Sequence, residues 1–146
     1  MSRQVFRGCI PDDRRYDPVH DMWVQPEDDG GLVKIGVTAY GLFLAGELIG
    51  FTAKPRGAEV ERGRGLGTVE CAKTVLAVRA PLAFELVEAN EAAEERPSLL
   101  NRDPYAAGWM VRGRPLDWAA DAARLVDAAS YRAHVLRQEP AAELLP

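Results

Sequence analysis

At 146 residues and a formal net charge of −4, the chain has the length of one domain with its own core and lacks the basic block of a nucleic-acid footprint. No apolar run approaches membrane-spanning length and Met1 to Cys9 hold no apolar secretory segment, so the expected compartment is the cytoplasm. There the two cysteines are expected to be reduced, and two histidines without Cys-x-x-Cys or His-Glu-x-x-His spacing argue against a metal site.

Residues 1–15 are polar and irregular, and read as an arm laid over the domain instead of a core element. Tyr16 to Val24 is the first piece of buried character, with Tyr16, Trp23 and Val24 as strand residues. Gln25 to Gly31 is expected to be a hairpin turn, since its paired glycines tolerate positive φ. Leu32 to Val37 alternates like a half-buried strand. Thr38 is a plausible N-cap for a short helix, Ala39 to Leu44, closed by Ala45-Gly46. Leu48 to Phe51 is another strand, and Lys54 to Gly57 a turn. Phe84 to Ala89 follows Pro81 as a strand, Asn90 caps a helical turn through Glu95, and Pro97 to Asn101 is a second turn. Gly108 to Val111 returns to strand. Pro115 and Asp117 open a helical region whose apolar face is Trp118, Ala122, Leu125, Val126, Tyr131, Val135 and Leu136. Pro140 ends it, and the last residues are expected to fray. Short strands bounded by Gly or Pro, with helix as punctuation and at the end, predict a mainly β barrel or sandwich with a helical tail.

The stretch around Lys73 organises the rest. Thr68-Val69 and Thr74 to Val78 are strand-type runs, and Glu70 to Lys73 is the break between them, so a hairpin with lysine at its turn is expected. The chain uses fifteen arginines and only three lysines, Lys34, Lys54 and Lys73. Lysine, unlike arginine, can be acylated, which makes a retained turn lysine a candidate site. Similar segments flank it, Glu59-Val60-Glu61 after Pro55 and Glu85 to Glu88 after Pro81, as if two half-sheets met with the hairpin at an exposed end.

These residues resemble the H-protein of the glycine cleavage system. The resemblance is carried by Val69-Glu-Cys-Ala-Lys-Thr-Val75, Pro81, Glu85 to Glu91, Pro97 to Tyr105 with Gly108-Trp109, Ile35 to Tyr40 and Ala45 to Ile49, in that family's order over roughly residues 16–115. It implies a lipoyl-domain barrel-sandwich hybrid with short helices and a C-terminal helical extension, dividing the chain into an arm (1–15), a lipoyl domain (16–115) and the extension (116–146). It implies lipoic acid in amide linkage on Lys73, a swinging arm that shuttles a covalently held fragment, and no catalytic residues in the carrier itself. Glu70 would help a lipoate ligase or transferase, or a partner, recognise the hairpin.

The chain also departs from that family. Glu70-Cys-Ala-Lys-Thr74 stands where Glu-Ser-Val-Lys-Ala is usual, Phe84 replaces a glycine, and His20-Asp-Met-Trp23 is one residue longer than His-x-Trp. With the Arg7-Gly-Cys9 arm and the tail, these features resemble the H-protein-related lipoate-binding proteins of the sulfur-oxidising heterodisulfide-reductase-like complex. That branch implies a sulfur cargo and that complex as partner; the alternatives are the aminomethyl carrier with its P-, T- and L-type partners, or an unlipoylated adaptor. Cys71 is read as a small packed side chain or a redox neighbour of the arm, Cys9 as redox-active or inert, and His20 as a hydrogen-bonded structural residue. The acidic surface of Glu59, Glu61, Glu85, Glu88 and Glu91 either docks basic partners or merely keeps the protein soluble.

Overall fold

The structure, a computed structural model, describes residues 4–27 and 30–146. The start of the N-terminal arm and Asp28-Asp29 of the Gln25 to Gly31 turn lie outside the described residues. The elements in chain order are β1 (Arg7–Cys9), β2 (Arg15–Asp17), β3 (Met22–Pro26), β4 (Val33–Val37), α1 (Ala39–Ala45), β5 (Leu48–Ala53), β6 (Glu59–Val60), β7 (Gly65–Cys71) and β8 (Thr74–Arg79). They continue with β9 (Phe84–Ala89), α2 (Glu91–Glu95), α3 (Ser98–Arg102), β10 (Val111–Pro115), α4 (Trp118–Ala122), α5 (Ala128–Gln138) and β11 (Glu143–Leu145).

Two open sheets share the main core. One has six strands in the order β2-β3-β4-β10-β9-β6, the other three in the order β5-β7-β8. Alternate residues point inward from each, so Val24, Ile35, Leu86 and Val111 of the first meet Phe51, Leu66, Val69 and Val78 of the second in one buried cluster. The two flanking segments singled out by their similarity pair with each other, Glu59 opposite Glu85 and Val60 opposite Phe84. The mainly β architecture with short helices is therefore as expected.

β3 is buried on both faces. Met22 and Val24 face the main core, while Trp23 faces a second cluster with Phe6, Tyr16, Tyr40 and Tyr131. That explains three consecutive apolar residues where one-sided burial would demand alternation. The Trp23 indole donates to the Pro104 carbonyl at 3.1 Å, satisfying its polar edge in the core.

This second cluster overturns the reading of both chain ends. Phe6 and Ile10 of the expected surface arm are buried, Phe6 edge-on to Tyr40. The expected frayed end is β11, which pairs in parallel with β1, Arg7 opposite Glu143 and Cys9 opposite Leu145. Each end covers an apolar face that the other leaves open. The helical region after Pro115 also differs. Pro115 closes β10 opposite Phe84, and Asp117 caps α4 instead. Val126 leaves the helical face to bridge Tyr16, and Leu136 is exposed. The return strand begins at Val111 and not at Gly108, because Ala107 and Trp109 carbonyls are taken by the Asn90 amide. Ser98–Arg102 forms a helix where a turn was expected. Among the described residues, no helix is long and apolar enough to cross a membrane.

Candidate functional site

β7 and β8 form a hairpin closed by Ala72 and Lys73, with Cys71 and Thr74 paired just before the turn. The β-branched run of Thr74 and Val75 favours extension, and the small Ala72 leaves the turn uncrowded. Lys73 is exposed, and among the described residues neither its side chain nor that of Glu70 has a hydrogen-bond or ion-pair partner. An exposed primary amine at the end of a rigid two-stranded lever is open to acylation by an approaching enzyme, whereas its neighbours in the ladder are not.

The lever is anchored at its base and on one edge. β7 is the central strand, so it is held on both sides. A Cβ added to Gly67 would lie 2.4 Å from the Thr52 carbonyl oxygen, so β5 and β7 approach too closely there for any side chain. The outer edge of β5 is satisfied by side chains: the Leu48 amide donates to Asn101 at 2.9 Å and the Ala53 amide to Glu94 at 3.1 Å. β8 is left as the open edge of this sheet, with Val75 and Leu76 exposed beside the lysine.

The hairpin separates the three candidate side chains by face. Glu70, opposite Val75, points away from the core, while Cys71 packs against the main core from the inner face. The Cys71 thiol lies 3.6 Å from the Thr74 carbonyl, a weak donor contact across the turn. Cys9 is not brought to this site; it lies on β1, in the ribbon formed by the chain ends. Among the acidic residues, Glu85 and Glu88 are bound by Arg114 and Arg112 at 2.7 and 2.8 Å, so they brace the six-stranded sheet.

On the inner side, a mostly apolar cleft of about 290 Å³ opens between α1 and β8. Leu44 and Ala45 of α1 form one wall, Val69, Leu76 and Val78 the other, and His20 and Asp21 stand at the rim. The capped helix α1 sets this wall: Thr38 accepts from the Gly41 amide at 3.0 Å, and Gly46 ends the helix at φ 88°. Sequence reading found α1 and its caps but not the cleft, because its walls come from elements far apart in the chain. His20 is hydrogen-bonded to Asp17 at 2.9 Å, as a structural histidine should be. Burial pushes the Asp21 carboxyl above its usual range, although the Tyr131 hydroxyl donates to it at 2.8 Å.

Comparison with known proteins matches this arrangement. A model of the family described as "Glycine cleavage H-protein" matches residues 14–138. A glycine cleavage system H protein of Thermus thermophilus is 39% identical over 130 residues, covering 89% of this chain and 98% of that protein. That of Bacteroides thetaiotaomicron is 37% identical over 126 residues, covering 86% and 97%. The crystal structure of a glycine cleavage system H protein from Mycobacterium marinum superposes with a TM-score of 0.73 at 30% identity, over 85% of this chain and 97% of that one. The chain belongs to the glycine cleavage H-protein family, whose members are non-catalytic carriers that hold lipoate on a lysine.

Proposed function

We propose that this chain is the aminomethyl carrier of a glycine cleavage system, with Lys73 as its lipoyl attachment site. The observation that carries the reading is the position of Lys73: an exposed, unpartnered amine at the two-residue end of a braced hairpin, in a chain of this family. The lipoyl group, when attached, supplies a dithiolane whose sulfurs can hold a small fragment covalently. The chain supplies the rest. Lys73 gives the amine and the pivot, the β5-β7-β8 sheet keeps that pivot clear of the body, and the apolar cleft beside Leu76 offers the hydrocarbon part of the arm a place out of water. Glu70, free on the outer face, is the group for a lipoate ligase or transferase to recognise.

The sulfur cargo and the heterodisulfide-reductase-like partner expected from the residues beside Lys73 draw no support from the relatives, which are glycine cleavage H proteins. P-, T- and L-type proteins are therefore the proposed partners. Packing of Cys71 against the core favours its reading as a small buried-face side chain over that of a redox neighbour.

The test is intact-mass spectrometry after incubation with a lipoate ligase, lipoic acid and ATP. One lipoyl group is expected on the wild type and none on Lys73→Arg; an unmodified wild type overturns the assignment. Adding the modified protein to P-, T- and L-type partners should then support glycine decarboxylation. A fully lipoylated protein that gives no turnover there would overturn the glycine cargo while leaving the lysine.

A further inference from the structure

β1 and β11 lie outside residues 14–138, the part of the chain that matches the family. They pair only with each other, as two strands of three residues, yet this ribbon is laid against α1, one wall of the cleft. Phe6, just before β1, is buried against Tyr40 and Phe43 of α1, with ring centroids 5.2 and 5.6 Å away. A Cβ added to Gly8 would lie 3.5 Å from the Ala39 Cβ, so β1 itself reaches the first turn of the helix. The Tyr105 hydroxyl ties the two together: it accepts from the Ala39 amide at 2.9 Å and donates to the Cys9 carbonyl at 3.0 Å. Burial pushes this phenol up to about 12, so it keeps the proton it donates.

α1 needs this cover, because seven residues make too short a helix to stand without packing. Leu42 packs in the main core, Tyr40 and Phe43 in the second cluster, and Gly41, Leu44 and Ala45 are left to line the cleft. β11 supports the helix at one remove. The Glu143 amide donates to the Phe6 carbonyl at 2.9 Å, and Leu144 packs on the second cluster. Little else among the described residues holds β11: Glu143 and Leu145 are exposed, and the 3.2 Å ion pair of Arg7 and Glu143 joins side chains that are mostly in water. A strand held by one short ladder belongs to the class of units that open without global unfolding.

We infer that β11 is a strap whose opening releases the lipoyl arm from the cleft. Closed, it holds β1 on α1 and keeps the helix a firm wall; open, it uncovers Phe6, and the wall yields. The inference rests on the reading of Lys73 as the attachment site and of the cleft as the resting place of its arm. The strap is built from segments beyond the family match, so it acts on the shared domain from outside it.

The experiment uses NMR on the wild type, Glu143→Pro and Leu145→Cys, each lipoylated with isotope-labelled lipoic acid. Glu143→Pro removes the amide that binds the Phe6 carbonyl. Cys9 and Leu145 are register partners, and neighbouring strands lie about 4.8 Å apart, within reach of a disulfide, so oxidised Leu145→Cys locks the strap. Two quantities are read: amide exchange in Ala39–Ala45, and relaxation of the arm's carbons, which tumble with the protein when seated and freely when not. Glu143→Pro should quicken exchange in α1 by about tenfold, the scale of one lost hydrogen bond, with β3 and β4 unchanged. Its arm should become mobile, which a merely structural role would not produce. The locked variant should slow that exchange and hold the arm; it also serves if Glu143→Pro does not fold. Equal α1 exchange in all three proteins, or an arm that stays seated in Glu143→Pro, would overturn the strap. An arm equally mobile in the wild type and the locked variant would overturn the cleft as its resting place, and the strap's purpose with it. A wild type that is never modified would instead remove the attachment site.

Discussion

The rings of Tyr16 and Tyr131 lie face to face, with centroids 4.8 Å apart and planes within 1° of parallel. The contact joins β2, at the edge of the six-stranded sheet, to α5 near the chain end, and both rings are fully buried. The Tyr131 hydroxyl lies 2.7 Å from the Thr38 hydroxyl and 2.8 Å from an Asp21 carboxylate oxygen. One side chain of the tail thus holds the N-cap of α1 and Asp21 of the cleft between α1 and β8.

Tyr131→Phe keeps the stack and removes that bridge. It leaves Thr38, which is buried, and Asp21 short of a partner, so a loss of about 1–3 kcal/mol is expected. Urea unfolding checks this, and Lys73 lipoylation should persist in the folded fraction.

Asp21 also imposes a pH dependence. Burial is the main cause of its raised pKa, so its favourable contribution is complete below its ordinary value of 3.8 and is lost as pH rises through the raised one. Asp21→Asn removes the titrating carboxyl while its side-chain oxygen still accepts from Tyr131. Its stability relative to the wild type should therefore climb from acid toward neutral pH, read as the difference between two urea series. A difference independent of pH would contradict the burial of this carboxylate.

Gly67→Ala is expected to be the most damaging change in the hairpin. Its Cβ would meet the backbone of β5, 2.4 Å from the Thr52 carbonyl oxygen, which no side-chain rotation can relieve. Overpacking of this kind costs about 1–3 kcal/mol or more. The melting temperature should fall, and amide exchange in β7 and β8 should quicken more than in β3 and β4.

Deleting residues 141–146 removes β11 and exposes one side of β1. Labelling by a thiol reagent should quicken at Cys9 and remain unchanged at Cys71, which lies in a different sheet. Peptide mapping after labelling separates the two.

Much of the site could be read from residue order alone. The Lys73 hairpin, the Thr38 and Gly46 caps of α1, and the Asn90 cap of α2 are written in a few adjacent residues, since turn and cap chemistry is local. The strand character of Phe84 to Ala89 was equally legible, because burial on one face leaves a period-two pattern. The pairing of the similar segments around Glu59 and Glu85 fits the same regularity.

The ends of the chain were illegible for the converse reason. β1 and β11 are three residues each, too short to show a period, and each finds its partner only at the far end of the chain. Trp23 has the character of a core residue, but nothing local in the chain shows that β3 is covered on both faces. The register shift that sets Gly50 opposite Glu70 belongs to the β5–β7 pairing and not to either strand by itself. Sequence alone therefore determined where the chain turns, which residue stands at the exposed turn, and which family it resembles. Tertiary structure decided what flanks the strands of that hairpin, the cleft between Leu44 and Leu76, and, away from it, how the two chain ends close on Tyr16 and Trp23. These are contacts between segments distant in sequence, fixed by the apolar surface each must bury and not by any preference written in the residues themselves.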